Sequence, residues 1–362
     1  MNQTPSSRVT SCRGEYVSQS LAITDIAEEF FGWPSQPVTN VSTGDFIGWD
    51  RAWAEAATGP AGFWQSGTVG RHFRTASSGG LLAELIGQVL DQRPEICRVI
   101  EIGAGDGQLL TALNRLRPDL ELTGIDLRPQ PHPDARIEWL VDRWDSRTAS
   151  WAAPGGTAHR TLAQLDRPTM IICCEWLDEL PCAVAVGDGD RWREVLVRPD
   201  GRERLAGPVP AAASRWLLDW VGDPARGVRA EIGLHRDRAW QMVIEALRPV
   251  GGAALMIDYS LRRGDRPAAG TLTAYADGRQ HSPRPDPRLN LTAHVAVDAV
   301  VAAGVAAGAR TQWLCQQADV VDRLAPTPVD ADPLHRLQAA SERRALSGAF
   351  GRQWWLLQTF PR

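Results

Sequence analysis

The chain has 362 residues, 43% of them hydrophobic, and a formal net charge of -4. That length allows one large domain with insertions, or two. The mild acidity argues against nucleic acid as the main partner. No apolar run reaches membrane-spanning length and the polar N-terminus lacks a signal-peptide core, so the expectation is a cytoplasmic protein with no membrane insertion.

All 39 basic residues are arginine. The six cysteines (Cys12, Cys97, Cys173, Cys174, Cys182 and Cys315) contain no C-x-x-C pair and are expected as reduced thiols, several of them in the core. The seven histidines form no H-E-x-x-H or H-x-H cluster, so no metal site is expected.

Residues 1–20 are rich in Ser, Thr and Gln and aperiodic, which predicts a disordered lead-in. Helical spacing predicts helices over 21–33 and 46–57, then tight turns, then a helix from about Leu81. Residues 21–95 therefore read as an N-terminal helical segment, placed where a lid over a cofactor is common. Its aromatics Phe63, Trp64 and Phe73 serve either packing or ligand contact.

The next stretch organises the rest. Val99–Ile102 reads as a buried strand, followed by a turn with glycines at 103, 105 and 107. Leu109, Leu110, Leu113 and Leu116 then recur at helical spacing until Pro118, and a second apolar strand from Leu120 ends on Asp126. This is one half of a nucleotide-binding βαβ unit.

Charge selects the nucleotide. A dinucleotide fingerprint presents bare amides to a pyrophosphate in the pattern G-x-G-x-x-G. Here the third glycine comes one residue early, Gln108 replaces the expected one, and Glu101 and Asp106 would repel phosphate. S-adenosyl-L-methionine (SAM) has a ribose, no phosphate and an ammonium that acids welcome. The expected cofactor is SAM, held by Glu101, Gly103, Ala104, Gly105 and Gly107, with Asp126 on the ribose hydroxyls.

Residues 135–141 read as a third strand, and Asp142 at its tip is the candidate for the adenine amine, or else a solvated loop acid. The run 170–174 reads as a fourth strand entering three acids, Glu175, Asp178 and Glu179. Ligands of open α/β sheets bind at such strand ends, so these acids are placed for chemistry; capping of a following helix is the other reading of Asp178. Residues 183–228 break the βα rhythm with a hairpin turning at 187–190 and a short helix over 214–221. A helix over 234–247 leads into a strand over 253–260. The polar stretch 261–295 is too long to be an idle connection. Helices over 296–308, about 316–324 and 332–347 follow, and 351–360 reads as the antiparallel last strand.

From about residue 45 onward, several separated segments together resemble the MidA family of SAM-dependent methyltransferases, which includes mitochondrial complex I assembly factors that methylate a protein arginine. FIGWDRAWAEAATGPAGFW resembles the family's segment ending in G-Y-Y, and HFRTAS its G-D-F-Y-T-S, with His72 at the acid position. EIGAGDG matches the cofactor loop; EWLDELP, IDYS, GTLTAY and LNLTAHV resemble E-F-F-D-A-L-P, I-D-Y-G, G-T-L-R-A-Y and D-I-T-A-H-V, and Gln312 stands in its T-Q motif. Asn290 replaces the aspartate of the last but one. The resemblance implies an α/β, class I SAM-methyltransferase (Rossmann-like) fold: a seven-stranded sheet over 96–362, insertions at about 183–228 and 261–295, and an N-terminal helical lid.

The implied activity is methyl transfer to an acceptor, a protein side chain such as arginine, or else O- or N-methylation of a small molecule or peptide natural product. The rival from another class is a catalytically silent SAM-binding assembly factor. Glu175 and Asp178 are expected to hold a guanidinium bidentately, with one of them or His294 as base for a hydroxyl or carboxyl acceptor. His294 also reads as a structural histidine. The expected partners are an acceptor protein or a small-molecule or peptide substrate, with a homodimer left open.

Overall fold

The computed structural model describes residues 45–65, 79–131, 134–151, 156–325 and 333–360. The expected disordered lead-in, the helix over 21–33, Phe73 and the 72–77 segment with His72 lie outside the described residues.

Seven strands form the central sheet: β1 (Arg98–Ile102), β2 (Glu121–Asp126), β3 (Ile137–Val141), β4 (Thr169–Cys174), β5 (Gly252–Leu261), β6 (Arg310–Gln316) and β7 (Gln353–Phe360). Their order is β3-β2-β1-β4-β5-β7-β6. The first five run parallel, and β7 is antiparallel to both β5 and β6. A two-residue strand, Val295–Ala296, adds an eighth member beside the tip of β5.

The strands are apolar almost throughout because both faces are covered. Side chains alternate between two cores at the period of two that a pleated strand imposes. Ile100, Ile171, Cys173, Ala254, Met256 and Leu356 pack with helices Thr157–Ala163, Leu234–Leu247 and Val297–Ala306. Val99, Met170, Ile172, Leu255, Ile257 and Leu357 face the other way, against helices Gly80–Asp91, Gln108–Leu116 and Gln317–Leu324. The result is a three-layer α/β fold.

Two regions depart from the sequence reading. Strand β6, RTQWLCQ, lies on the sheet edge with much of it exposed, so it carries no apolar run to mark it. The antiparallel last strand of the chain, β7, is inserted between β5 and β6. The 261–295 stretch is not irregular either. It holds a small antiparallel sheet of Thr273–Ala276, Arg279–His281 and Asn290–Thr292. Those strands are too short for a visible alternation.

The hairpin over 183–197 is present and grows into a second sheet. Ala183–Gly187 and Trp192–Val197 pair with each other, Glu203–Pro208 and Arg229–Ile232 flank them, and Ile47–Gly48 joins beside Trp192–Val197. Cys173, Cys174 and Cys182 are buried, whereas Cys97 is exposed.

Candidate active site

The strand order reverses between β1 and β4, and ligands of open α/β sheets bind outside the carboxyl ends at such a point. A cavity of about 280 Å³ opens there. One side is the glycine turn after β1, with Asp126–Arg128 after β2 and Asp142–Arg147 after β3. The opposite side is Cys174–Trp176, Glu179–Pro181 and His235, and helix Trp49–Thr58 contributes Asp50, Ala54 and Thr58 as a further wall.

The turn is left-handed at Gly103 (φ 73°) and Gly105 (φ 57°), a conformation that favours glycine. A Cβ on Gly103 would lie 2.7 Å from Cδ1 of Trp176, so the ring needs a bare backbone to pack on. A Cβ on Gly105 would meet nothing within 4 Å: that residue faces open space. The N–H groups of Gly103 and Ala104 donate to Ile125 O at 2.9 and 3.2 Å, which fastens the turn to β2.

Asp126 accepts from the N–H groups of Gly105 (2.8 Å) and Arg128 (3.0 Å), one on each carboxylate oxygen. Each oxygen keeps a further lone-pair direction. Burial raises the Asp126 pKa, and the two backbone hydrogen bonds and the Arg128 charge oppose that rise. Glu101 is buried, and its Oε2 has no hydrogen-bond partner among the described residues. Burial, and then the charge of Asp126, push its pKa well above the usual carboxylate range. Asp142 is buried, lines the cavity and accepts from Arg143 N–H at 2.8 Å.

Across the cavity, Glu175 follows β4 with φ 50°, left-handed backbone that a side-chain-bearing residue adopts at a cost of about 1–2 kcal/mol. Its N–H donates to Ile257 O at 2.8 Å, extending the β4–β5 ladder, and its Oε1 accepts from Gln353 Nε2 at 2.6 Å. The loop then turns on Asp258, whose Oδ2 accepts from the N–H groups of Leu177 (2.9 Å) and Asp178 (3.3 Å). No helix follows, so Asp178 is not a helix cap. Glu179 points a carboxylate to the cavity: Oε1 accepts from Asn290 Nδ2 at 2.8 Å, and Oε2 has no partner among the described residues. Burial and then the Asp178 charge push its pKa well up.

Residues 81–315 match the family model described as S-adenosyl-L-methionine-dependent methyltransferase. The chain belongs to that family. The methyltransferase fold is also that of a Burkholderia thailandensis superfamily member crystallised with S-adenosyl-homocysteine, which is 23% identical over 88% of this chain and 89% of that one, TM-score 0.66. A native crystal structure of an uncharacterised protein of that superfamily, from the same organism, is 24% identical over 89% and 88%, TM-score 0.64. No curated protein matches.

SAM is the cofactor, and the cavity fits it. The unpartnered buried oxygen of Glu101 suits an ammonium, the carboxylate of Asp126 has acceptor capacity for hydroxyls, and the open face of Gly105 leaves room between them. Glu101, Gly103, Ala104, Gly105, Asp126 and Asp142 all line the cavity. Gly107 instead caps helix Gln108–Leu116 in left-handed conformation (φ 73°).

The expected meeting of Glu175, Asp178 and His294 on the cavity wall is only partly present. Glu175 is there. Asp178 is buried beneath the loop, its Oδ2 accepting from Thr292 Oγ1 at 2.8 Å. His294 is exposed, stacked on Tyr259 with centroids 6.2 Å apart, and absent from the cavity lining. Its backbone N–H donates to Thr271 Oγ1 at 3.0 Å, just before Val295–Ala296 pairs with the tip of β5. Glu179, named in the sequence with the other two acids of the loop, takes the place on the cavity wall given to Asp178. Asn290, which departs from the family motif, is the donor that holds Glu179.

Proposed function

We propose that this methyltransferase acts in the cytoplasm on a cationic nitrogen of a protein side chain such as arginine, in line with the resemblance to the MidA family and its complex I assembly members. The carrying observation is the pair of glutamates on one cavity wall, Glu175 and Glu179, the second with a buried oxygen that has no donor among the described residues. A guanidinium or ammonium supplies what that oxygen lacks.

SAM brings a methyl group on a sulfonium, open to in-line displacement. Glu101 and Asp126 fix its ammonium and ribose, Asp142 its adenine amine, and the glycine turn gives it room. The acid loop holds the acceptor in line and excludes water from the cavity. Glu179, with a pKa raised by burial and then by the Asp178 charge, is suited to receive the acceptor's proton. The described helix Trp49–Thr58 acts as part of a cover on this reading, forming one wall of the cavity.

The test is transfer of radiolabel from SAM to peptides that differ only in one residue: arginine, lysine, serine or glutamate. Label on arginine or lysine is expected; label confined to serine or glutamate overturns the cationic acceptor.

A further inference from the structure

Beneath the acid loop lies a buried cation that no motif marks. Arg236, the third residue of helix Leu234–Leu247, is only 1% exposed. Its guanidinium donates to Leu180 O from Nε (3.1 Å) and Nη2 (2.9 Å), to Asp178 O from Nη2 (2.7 Å), and to Ala293 O (2.7 Å) and His294 O (3.3 Å) from Nη1. All of these are main-chain carbonyls. The fork thus ties the loop that carries Glu179 to the segment that carries Asn290, the partner of Glu179. The ring of Trp53 closes the other face at 5.6 Å.

We propose that Arg236 is a positioning residue for methyl transfer, holding the loop from Glu175 to Pro181 against the 290–294 segment so that Glu179 faces the cavity. A buried charge hydrogen-bonded to carbonyls alone is costly to retain unless neighbouring charges answer it. Here they do. The Arg236 charge opposes the burial-driven rise in the pKa of Asp178, Glu179 and Asp258. The other groups acting on Glu179 are Asp178 and Glu175 on its own loop, which raise its pKa, and Asn290, whose hydrogen bond lowers it. Arg236 therefore has two separable effects on one carboxylate: the fork sets its place, and the charge lowers its proton affinity against the larger effects of burial and Asp178.

The inference rests on the acid loop facing the acceptor, yet it can be tested without one. The full chain is prepared as wild type, Arg236→Lys and Arg236→Met, each with S-adenosyl-homocysteine bound and glutamate carboxyls carbon-13 labelled. Arg236→Met, which removes charge and fork, is expected to raise the titration midpoint of Glu179. An arginine whose charge does not reach Glu179 would leave that midpoint unmoved in a folded variant, and an unmoved midpoint overturns the proposal. Arg236→Lys keeps the charge and loses the fork. Its Glu179 midpoint should stay near wild type while amide exchange at 176–180 speeds up about tenfold relative to β4 amides. Wild-type exchange in Arg236→Lys also overturns the proposal, and this arm decides alone if Arg236→Met does not fold. Failure of either arm would leave the peptide-labelling test of the acceptor untouched.

Discussion

The two walls of the cavity are built in different ways. The cofactor wall is centred on one run of chain, residues 101–128, whose strand, turn and helix position each other by neighbouring hydrogen bonds, with Asp142–Arg147 added after β3. The acid wall is assembled from afar. Glu175 is held by Gln353, 178 positions away, Glu179 by Asn290, 111 away, and the loop backbone by Arg236. A local wall can be lost by one substitution in the turn, whereas a distributed one should lose chemistry while cofactor binding persists.

The largest expected effect tests the local wall. Gly105→Arg projects a long cation into the open space beside the turn, and SAM affinity by calorimetry should fall by about a thousandfold or more. Binding within tenfold of wild type in a folded variant would mean that SAM does not lie over Gly105.

Next comes the distributed wall. Glu175→Gln and Glu179→Gln keep the side-chain volume and remove the charge. Turnover should drop by roughly a hundredfold for either, with SAM affinity changed less than about threefold. Equal losses of turnover and SAM affinity would erase the distinction between the walls.

Asp126→Ala returns to the cofactor side with a smaller effect. Two charge-assisted hydrogen bonds to a ribose disappear, so SAM should bind about ten- to a hundredfold more weakly. Because Asp126 also accepts from Gly105 N–H, that variant should loosen the turn, seen as faster amide exchange at Gly105.

The smallest effect concerns Asp258, the buried carboxylate under the acid loop. Burial, and then the Asp178 charge, raise its pKa well above the usual range. The folded protein thus holds this proton to higher pH than the unfolded chain does. Its contribution to stability is complete below the ordinary carboxylate pKa and is lost as pH rises through the raised one. Asp258→Asn keeps an acceptor for the Leu177 and Asp178 amides and cannot ionise. Thermal melts across about pH 4–8 should show a flatter pH dependence than wild type and no loss of stability at the alkaline end. A steeper decline would show that the charged form is the one the fold prefers.

The same contrast governs what could be read from the residues alone. The glycines at alternate positions and the acid ending β2 belong to one short strand–turn–helix–strand run, and the apolar runs of β1, β2, β4 and β5 report burial on both sheet faces whatever covers them, so their pattern is visible. Arg236 sits in a polar stretch, LHRDR, that looks like any solvated helix start, and only its carbonyl partners from 178–180 and 293–294 reveal it. Asp178 and Glu179 are adjacent acids, and nothing local says which of them turns into the cavity and which beneath it. Strand β6 failed to announce itself for another reason: an edge strand exposes much of its surface and needs no apolar alternation.

That edge has a consequence for synthesis. Strand β6 has β7 as its sheet neighbour, and β7 lies between β6 and β5. While a ribosome is still making residues 317–352, both β5 and β6 present open edges to whatever is nearby, including other nascent chains. Residues 353–360 close both at once, and they also deliver Gln353 to Glu175. The newborn protein therefore completes its sheet and its acid wall in the same event, after nearly all of the described chain has emerged.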